Sequence, residues 1–270
     1  MKILFIGGDK RTEYAAKKLS AEYDVERFDE KTRGRFGAVV LPLPLTKNGA
    51  DIFAPLSDSP LPFGVIAQYA ENNAVILAGG ECPALSEICA ENGYTLVNYF
   101  AEEALTLKNA ALTAEAACVM LSLSTEGALL GSRSLITGYG RIGRMLAYRL
   151  AANGSSVTIA ARRTEQRTAA ELDGFSAVGL PNIGCVLGDM DFIANTAPSA
   201  LFTAEHFSAI KNSAVFIELA TLPGQPSKAL ADARKIKYIY APGLPGKHSP
   251  KAAGEAVAET VREKLTALYR

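Results

Sequence analysis

A strand, a glycine-rich turn, a helix and a second strand follow one another in SLITGYGRIGRMLAYRLAANGSSVTIAARR, residues 134–163. Gly138, Gly140 and Gly143 stand in G-x-G-x-x-G spacing directly after the first strand. In such a unit the first glycine permits a tight turn, the second leaves room for a pyrophosphate, and the third lets the helix pack closely. Backbone N–H groups at the helix start then face phosphate oxygens. The segment predicts a dinucleotide-binding unit; the alternative is a glycine turn that has lost its ligand.

The end of the second strand indicates which dinucleotide would bind. A carboxylate there accepts hydrogen bonds from the adenosine 2′-hydroxyl in NAD sites, and it would repel a 2′-phosphate. Ala161 stands at about that position, and Arg162, Arg163 and Thr164 follow it. Because a guanidinium pairs with a phosphate through two hydrogen bonds, the sequence predicts NADP as the cofactor. The alternative is that one or both arginines, Arg163 above all, are solvated surface charges.

Later loops complete the predicted cofactor site, because ligands of open α/β sheets lie beyond the carboxyl ends of the strands. These loops are NTAPS, ELATLPG and APGLPGKHSPK. For Pro198 and Pro223 a purely stiffening role in the turn is an equal alternative. The predicted cofactor-binding residues are Gly138, Tyr139, Gly140, Arg141, Ile142, Gly143, Ala161, Arg162, Arg163, Thr164, Asn195, Thr196, Ala197, Pro198 and Glu218.

Runs rich in Val and Ile alternate with helical segments along the whole chain, which is the pattern of a parallel sheet covered by helices. KILFIG, GAVVLPLP, AVILAGG and YTLVNYF form a first strand series, with helices predicted at residues 13–23, 64–72 and 83–92. A second series runs from SLITG to KYIYAP. We therefore predict an α/β fold of two Rossmann-like, doubly wound parallel-sheet domains.

The Ala-rich residues 101–124 contain no strand pattern and no proline, so they predict helix between the domains. We expect an N-terminal substrate and catalytic domain of residues 1–106 plus 247–270, an inter-domain helix at 107–126 and an NADP-binding domain at 127–246. The C-terminal helix is predicted to return to the first domain, by analogy with two-domain dehydrogenases.

Charge and composition favour small-molecule chemistry. Lys plus Arg and Asp plus Glu both number 28, so there is no overall field to hold nucleic acid or a membrane surface. The apolar run before the first glycines is too short for a signal peptide or a membrane span, so we expect a cytoplasmic protein. The cysteines lack C-x-x-C spacing, which favours buried thiols over disulfides or a metal site. They are Cys82, Cys89, Cys118 and Cys185.

Motifs along nearly the whole chain resemble the dipicolinate synthase A family of spore-forming bacteria. IGGDKR is similar to the family's IGGD-x-R opening, NAALTAEAA to N-x-x-P-T-A-E-G, ANTAP to INT-x-P, and ELATLPGQ to DLAS-x-PGG. PGLPG followed by PK-x-AG is the most specific element. The chain departs from the family at Leu112, Ala116 and Gln225, and at Lys247 and His248 in a usually apolar stretch. These departures concern local loop shape.

The resemblance implies NADP-dependent oxidation of 4-hydroxytetrahydrodipicolinate, or of its dehydrated form, to dipicolinic acid. This reaction belongs to a branch of lysine biosynthesis used in sporulation, which would place the protein in the mother-cell cytoplasm. The resemblance also implies a partner, the flavoprotein-like B subunit of dipicolinate synthase. A homo-oligomer stays open.

A flat ring with two carboxylates requires cationic or N–H-rich contacts. We predict that Arg11 and Lys251 face these carboxylates in a cleft between the domains, with a surface charge as an equal alternative for each. Further substrate contacts are predicted at Asn109, Thr113, Gly243 and Leu244.

Formation of an aromatic product also requires a base to accept a ring proton. The sequence does not identify this base, and Asp9, Glu115, His248 and Lys251 are candidates. Alternatively, Asp9 caps the helix after the first strand and Glu115 lies in the first turn of its helix.

Two other functions stay open. LPLP beside a Rossmann unit is also found in methylenetetrahydrofolate dehydrogenases, and the layout resembles hydroxyacid dehydrogenases, although neither explains PGLPG and PK-x-AG. A regulatory protein that senses NADP without turning it over is the other alternative, since no base is obvious.

Overall fold

The computed structural model describes residues 1–198, 201–220 and 227–269. In chain order the strands are β1 (Lys2–Phe5), β2 (Asp24–Arg27), β3 (Phe36–Val40), β4 (Asp51–Ile52), β5 (Leu61–Pro62), β6 (Ala70–Ala78), β7 (Thr95–Asn98), β8 (Arg133–Thr137), β9 (Ser156–Ala161), β10 (Ser176–Gly179), β11 (Phe192–Asn195), β12 (Val215–Glu218) and β13 (Lys237–Tyr240). The α-helices are α1 (Lys10–Leu19), α2 (Val65–Tyr69), α3 (Pro83–Asn92), α4 (Glu103–Leu123), α5 (Arg141–Ala152), α6 (Thr164–Leu172), α7 (Gly184–Leu187), α8 (Ala204–Ala209), α9 (Ser227–Arg234), α10 (Leu244–His248) and α11 (Pro250–Leu268).

The chain divides into two compact units. The first contains residues 1–109 and 246–270, and the second contains residues 110–245. Helix α4 includes the boundary near residue 109; it begins four residues before, and ends three residues before, the inter-domain helix predicted at 107–126. The C-terminal helix α11 belongs to the first unit, as predicted.

The first unit is built on a parallel sheet in the order β2-β1-β3-β6-β7. Alternate side chains of its strands enter two cores: Ile3 and Phe5 pack with α1 and α11, while Leu4 and Ile6 face the opposite side of the sheet. Both faces are therefore covered, as in a doubly wound fold. The strand order reverses between β1 and β3, and such a switch point is where open α/β sheets bind ligands.

The second unit contains a six-stranded parallel sheet in the order β10-β9-β8-β11-β12-β13. This is the strand order of a dinucleotide-binding Rossmann sheet, with its switch point between β8 and β11. The prediction of two Rossmann-like α/β domains is confirmed.

Several elements differ from their predicted bounds. Strands β2 and β10 were not predicted, because four-residue edge strands such as DVER lack an apolar run. The helix predicted at 64–72 ends at Tyr69, and its last residues belong to β6. Helix α1 begins at Lys10, three residues before its predicted start, because Asp9 caps it: its side chain accepts a hydrogen bond from the Arg11 N–H.

Helix α4 is long and apolar enough to cross a membrane by length and composition, a property that core helices of soluble proteins share. Its inward residues enter apolar cores, Leu105 in the first unit and Ala114, Ala117 and Leu121 in the second. Three cysteines are buried free thiols, as predicted, whereas Cys185 is exposed. Cys185 lies in the short helix α7, where one face is open to solvent.

Candidate functional site

The glycine turn between β8 and α5 has the geometry that its sequence predicts. Gly138 adopts a φ of 87°, a conformation that disfavours any residue with a Cβ. A Cβ on Gly143 would overlap the carbonyl oxygen of Gly138, so only glycine lets α5 pack against the turn. A Cβ on Gly140 would meet no atom within 4 Å. The turn therefore leaves open space at Gly140, where α5 begins, and this space fits a pyrophosphate.

Tyr139 lies within the glycine motif, but its side chain points away from the open turn. Its hydroxyl donates to Asp173 Oδ2 at 2.5 Å, and its ring packs edge-on against Phe175. Arg144 pairs with the same carboxylate, and its Nε lies 2.9 Å from Oδ2. Burial, followed by the Asp173 hydrogen bond, raises the pKa of Tyr139. The side chain of Tyr139 therefore anchors the turn, and only its backbone is a candidate for cofactor contact.

Ala161 ends strand β9 as a buried residue, and Arg162 and Arg163 follow it as exposed residues. Neither of these two guanidinium groups forms a hydrogen bond or ion pair within the described part of the chain. Arg167, which was not predicted, holds the turn by donating to the carbonyl oxygens of Ala161 at 3.0 Å and Arg162 at 2.8 Å. A positively charged turn thus stands at the carboxyl end of β9 with two arginines open to a ligand.

A row of buried polar residues crosses the same edge of the sheet. Thr137, Asn195 and Glu218 end three adjacent strands and face one another in register. The Thr137 hydroxyl donates to Asn195 Oδ1, and the Asn195 amide donates to both Glu218 oxygens at 3.0 and 2.9 Å. Burial raises the pKa of Glu218, against the opposing effects of the Asn195 and Ala220 N–H groups.

Thr137 was not predicted as a site residue, although its place just before Gly138 is a usable signal. Of the other predicted residues in these loops, Thr196 donates to the Thr137 carbonyl oxygen at 2.7 Å and Ala197 N–H to Asn195 at 3.3 Å. Pro198 is exposed. Ile142 packs against the apolar core and Thr164 is exposed. Pro223 lies outside the described residues.

In the first unit, Asp9 in the loop after β1 and Arg11 in the first turn of α1 form a largely buried ion pair. Arg11 Nη2 lies 2.7 Å from Asp9 Oδ2, and Arg11 Nε donates to Asp9 Oδ1 at 3.0 Å. Gly246 of α10 lies directly over the pair, since a Cβ there would stand 2.8 Å from Arg11 Nε. A small cavity beside Arg11 is lined by the ends of β1 and β3. Arg11 therefore occupies the switch point of its sheet.

Lys251 lies in the first turn of α11, exposed to solvent. Helices α1 and α11 pack in parallel, as Lys18 pairs with Glu259 at 2.9 Å and Arg262 with Glu22 at 3.2 Å further along. The two helices begin side by side, which brings the start of α11 to the same end of the unit as Arg11. Both helix N-termini carry partial positive charge there.

The remaining predicted residues are more scattered. Leu244 is buried in the apolar core of the second unit, so its side chain packs rather than facing a ligand. Gly243 is exposed with a φ of 66°, and His248 is exposed at the end of α10. Asn109 is half-buried on α4, and Thr113 is buried one turn later. Asn109 and His248 belong to the first unit, whereas Thr113, Gly243 and Leu244 belong to the second, so a shared substrate site stays a prediction.

Glu115 lies far from the glycine turn within the second unit. It is an exposed residue of α4 and lines a surface groove with Arg149 and Asn153, which form the C-terminal end of α5. Helix α5 is about 18 Å long, and the glycine turn is at its other end. The structure does not bring Glu115 together with the predicted cofactor residues, and it lies within α4 rather than in its first turn.

No group of three or more His, Cys, Asp or Glu side chains in residues 1–198, 201–220 and 227–269 could hold a metal ion.

Comparison with known proteins shows which protein families this chain resembles. Residues 115–244 match the NAD binding domain of D-isomer specific 2-hydroxyacid dehydrogenases. A transhydrogenase structure from Sinorhizobium meliloti shares the fold, with 13% identity and a TM-score of 0.69 over 97% of this chain and 92% of its own. The second unit is thus a nicotinamide-dinucleotide domain of the dehydrogenase type, which indicates an oxidoreductase without distinguishing NADP from NAD.

Two matches of higher sequence identity are more specific. The A subunit of dipicolinate synthase from Bacillus subtilis is 26% identical over 98% of this chain and 96% of its own length. The crystal structure of the corresponding A subunit from Bacillus halodurans is 25% identical, with a TM-score of 0.86 over 98% of this chain and 97% of that one. The resemblance to the dipicolinate synthase A family that the motifs predict is therefore confirmed over the whole chain.

Proposed function

We propose that this protein is an NADP-dependent oxidoreductase that forms dipicolinic acid from 4-hydroxytetrahydrodipicolinate or its dehydrated form. The observation that carries the proposal is the carboxyl edge of the second sheet. There the turn is open at Gly140, and β9 ends in Ala161 followed by two exposed arginines. An adenosine 2′-phosphate requires cationic partners and the absence of a carboxylate at this edge.

NADP bound there would accept a hydride from a substrate ring carbon. The chain's own residues would hold both molecules: the open turn and the start of α5 would receive the pyrophosphate, and Arg162 the 2′-phosphate. The buried row that ends in Glu218 fixes the strand ends beside the turn. Because its polar groups bond one another, this row gives the edge a single rigid shape.

The first unit supports a dicarboxylate as the substrate. Arg11 lies at a switch point, and Lys251 begins a helix at the same end of the unit. The two relatives described above at 25–26% identity are named as dipicolinate synthase components. We assign the two carboxylates to Arg11 and Lys251. His248 and Lys251, both exposed, stay candidates for the base, whereas Asp9 is engaged with Arg11.

Nucleotide affinity tests the proposal. Arg162→Ala should weaken NADP binding by roughly 1.5 to 3 kcal/mol, because a charge-assisted bidentate contact is lost. NAD affinity should stay at the wild-type value, since NAD has no 2′-phosphate. Arg163→Ala, in the adjacent exposed arginine, is the matched control and should change NADP affinity less. Isothermal titration of both nucleotides into wild type and the two variants measures the constants, and an unchanged NADP constant in Arg162→Ala contradicts the proposal.

A turnover assay distinguishes the proposed enzyme from a protein that senses NADP without oxidising a substrate. The purified chain is mixed with NADP and 4-hydroxytetrahydrodipicolinate, with the B subunit of dipicolinate synthase present, and NADPH absorbance is followed. Formation of NADPH together with dipicolinic acid supports the enzyme, whereas NADP binding without any NADPH supports the sensing role. The proposed partner is this B subunit, and the proposed location is the cytoplasm of the sporulating mother cell, both on the resemblance alone.

A further inference from the structure

The Asp9–Arg11 pair uses only one edge of the guanidinium. Nε donates to both Asp9 oxygens, at 3.0 and 3.2 Å, and Nη2 donates to Oδ2 at 2.7 Å. Nη1 makes no hydrogen bond within the described residues. A guanidinium carries five N–H groups in a planar fork. The edge formed by Nη1 and the second N–H of Nη2 is therefore left for another acceptor.

The arginine side chain as a whole is nearly shielded from water. The side chain of Arg11 is 9% exposed, while that of Asp9 is 21% exposed. Buried N–H donors without a partner are unfavourable, and native proteins nearly always satisfy them. A group that is charged, buried and half-satisfied at the switch point of a doubly wound sheet fits a receptor for an incoming anion better than a structural ion pair.

Two glycines of the most specific sequence motifs hold this arginine in place. Gly246 ends PGLPG, and a Cβ there would stand 2.8 Å from Arg11 Nε and 2.9 Å from Asp9 Oδ2. Gly254 ends PK-x-AG, and a Cβ there would overlap the Arg11 carbonyl oxygen. The lack of a side chain at Gly246 thus lets α10 lie over the side chain of Arg11, and the lack of one at Gly254 lets α11 pack against the Arg11 backbone. Both motifs meet at one residue.

We propose that Asp9, Gly246 and Gly254 position Arg11 as a preorganised receptor whose free edge binds one carboxylate of the substrate. Asp9 is then a positioning residue and not the base, because its carboxylate is engaged by Arg11. Fixing the guanidinium in advance removes the need to order it when the anion binds. This inference rests on the proposed dicarboxylate substrate and deepens it.

Asp9→Asn is the discriminating variant. Asn is as good a helix N-cap as Asp, so α1 should keep its start while the charge that orients Arg11 is lost. Arg11→Lys keeps the positive charge and removes the fork. Each should weaken dipicolinate binding roughly tenfold or more, as expected for loss of a bidentate charge-assisted contact. NADP affinity should stay near the wild-type value in both.

Matched controls for Asp9→Asn and for Gly246→Ala lie within the first unit. Glu13→Gln removes an acidic side chain from the same helix, one that pairs with exposed Arg27 at 3.1 Å. It should leave dipicolinate affinity unchanged. Gly246→Ala should weaken dipicolinate binding by crowding the pair, whereas Gly64→Ala, where a Cβ meets nothing within 4 Å, should not. Dipicolinate and NADP constants are measured by titration, and thermal melts report whether each variant is folded.

Steady-state kinetics with the B subunit present separate positioning from base catalysis. If Asp9 positions Arg11, Asp9→Asn raises KM more than it lowers kcat, and the pH profile of kcat keeps its shape. Loss of kcat with unchanged dipicolinate affinity would make Asp9 the base and overturn the inference. Weakened binding in Arg11→Lys but not in Asp9→Asn would also overturn it while leaving the proposed substrate intact. Unchanged binding in both would overturn the dicarboxylate site itself.

Discussion

Glu218 is a carboxyl group that the folded protein shields completely from water. Its side chain is fully buried, and it accepts hydrogen bonds from the Asn195 amide and from the Ala220 N–H at 3.1 Å. Burial favours the protonated form, and the N–H groups favour the carboxylate. Burial is the larger effect and raises the pKa of Glu218. The ionised group is thus held at an energetic cost at the edge where we propose that NADP binds.

Replacing this carboxyl by a neutral amide should change how stability depends on pH. A raised pKa in the folded state stabilises the protein below the ordinary pKa of a glutamate, and this contribution is lost as pH rises through the raised value. Glu218→Gln should therefore have a free energy of unfolding equal to or above wild type at pH 8. Its advantage should shrink as pH falls toward the ordinary glutamate range. Urea unfolding at several pH values measures both proteins.

Glu259 provides a control of opposite sign. Lys108 and Lys18 donate to it at 2.6 and 2.9 Å and lower its pKa to about 2. A lowered pKa stabilises the folded state above the ordinary value, and this contribution disappears as pH falls toward the lowered one. Glu259→Gln should lose about 1 kcal/mol or less at pH 7, because the group is a third exposed and solvent screens it. A Glu218→Gln variant that behaves like Glu259→Gln would contradict the burial argument.

For single residues, the sequence predicts what a backbone position does better than it predicts which groups a side chain will contact. The spacing was sufficient to predict the tight turn at Gly138 and the close helix packing at Gly143, because a glycine acts through its own backbone. The engagement of Arg11 with Asp9 could not be predicted, since it depends on a side-chain conformation under α10. Tyr139 illustrates the same limit: its place in the motif indicates the cofactor, but its hydroxyl bonds Asp173.

Among the helices of the first unit, α1 and α11 are the most closely packed pair. A Cβ at Gly254 would overlap the Arg11 carbonyl oxygen and stand 2.8 Å from the Tyr14 Cβ. Small residues let two helix backbones approach closely, and α11 buries Ala253, Ala256 and Val257 along the same face. The C-terminal helix is therefore part of the first core rather than an appendage.

Gly254→Ala should destabilise the protein by about 1 to 3 kcal/mol, because the added methyl has backbone atoms as its neighbours and the helices must move apart. Chemical denaturation measures the change. Gly64→Ala is the matched control at a position where the new Cβ is free. Equal stability of both variants would show that α1 and α11 separate at little cost and would contradict the packing described here.

Whether a helix or strand could be predicted from the sequence depends on its length and on how deeply it is buried. Strands such as β3 and β8 are buried on both faces and place apolar residues on each, because helices cover both sides of the sheet, and they were predicted. The edge strands β2 and β10 contact the sheet along one side only, and their four residues carry no continuous apolar run. The start of β6 was predicted as helix because ENN carries no strand signal. Ala70 pairs with Phe36 of β3, and the register is irregular between this pair and Ala38–Val75.

At the scale of the whole molecule, the two doubly wound units carry different candidate sites. One sheet has the order β10-β9-β8-β11-β12-β13 and the fingerprint for a dinucleotide, while the other has the order β2-β1-β3-β6-β7 and presents Arg11 at its switch point. Each unit has its own apolar cores on both sheet faces. The candidate bases His248 and Lys251 are both exposed to solvent.

This exposure leads to the prediction for the whole protein, that the isolated chain is folded and binds NADP but turns over poorly. Proton transfer by a positioned base contributes about 10²- to 10⁴-fold, and a base open to water is neither fixed nor shielded. Adding the B subunit should raise the rate of NADPH formation by at least about tenfold. Arg11→Lys should bind NADP normally and respond to the B subunit with a raised KM. A wild-type rate that is high without the partner and insensitive to its addition would contradict the need for a partner, because the exposed residues would then suffice.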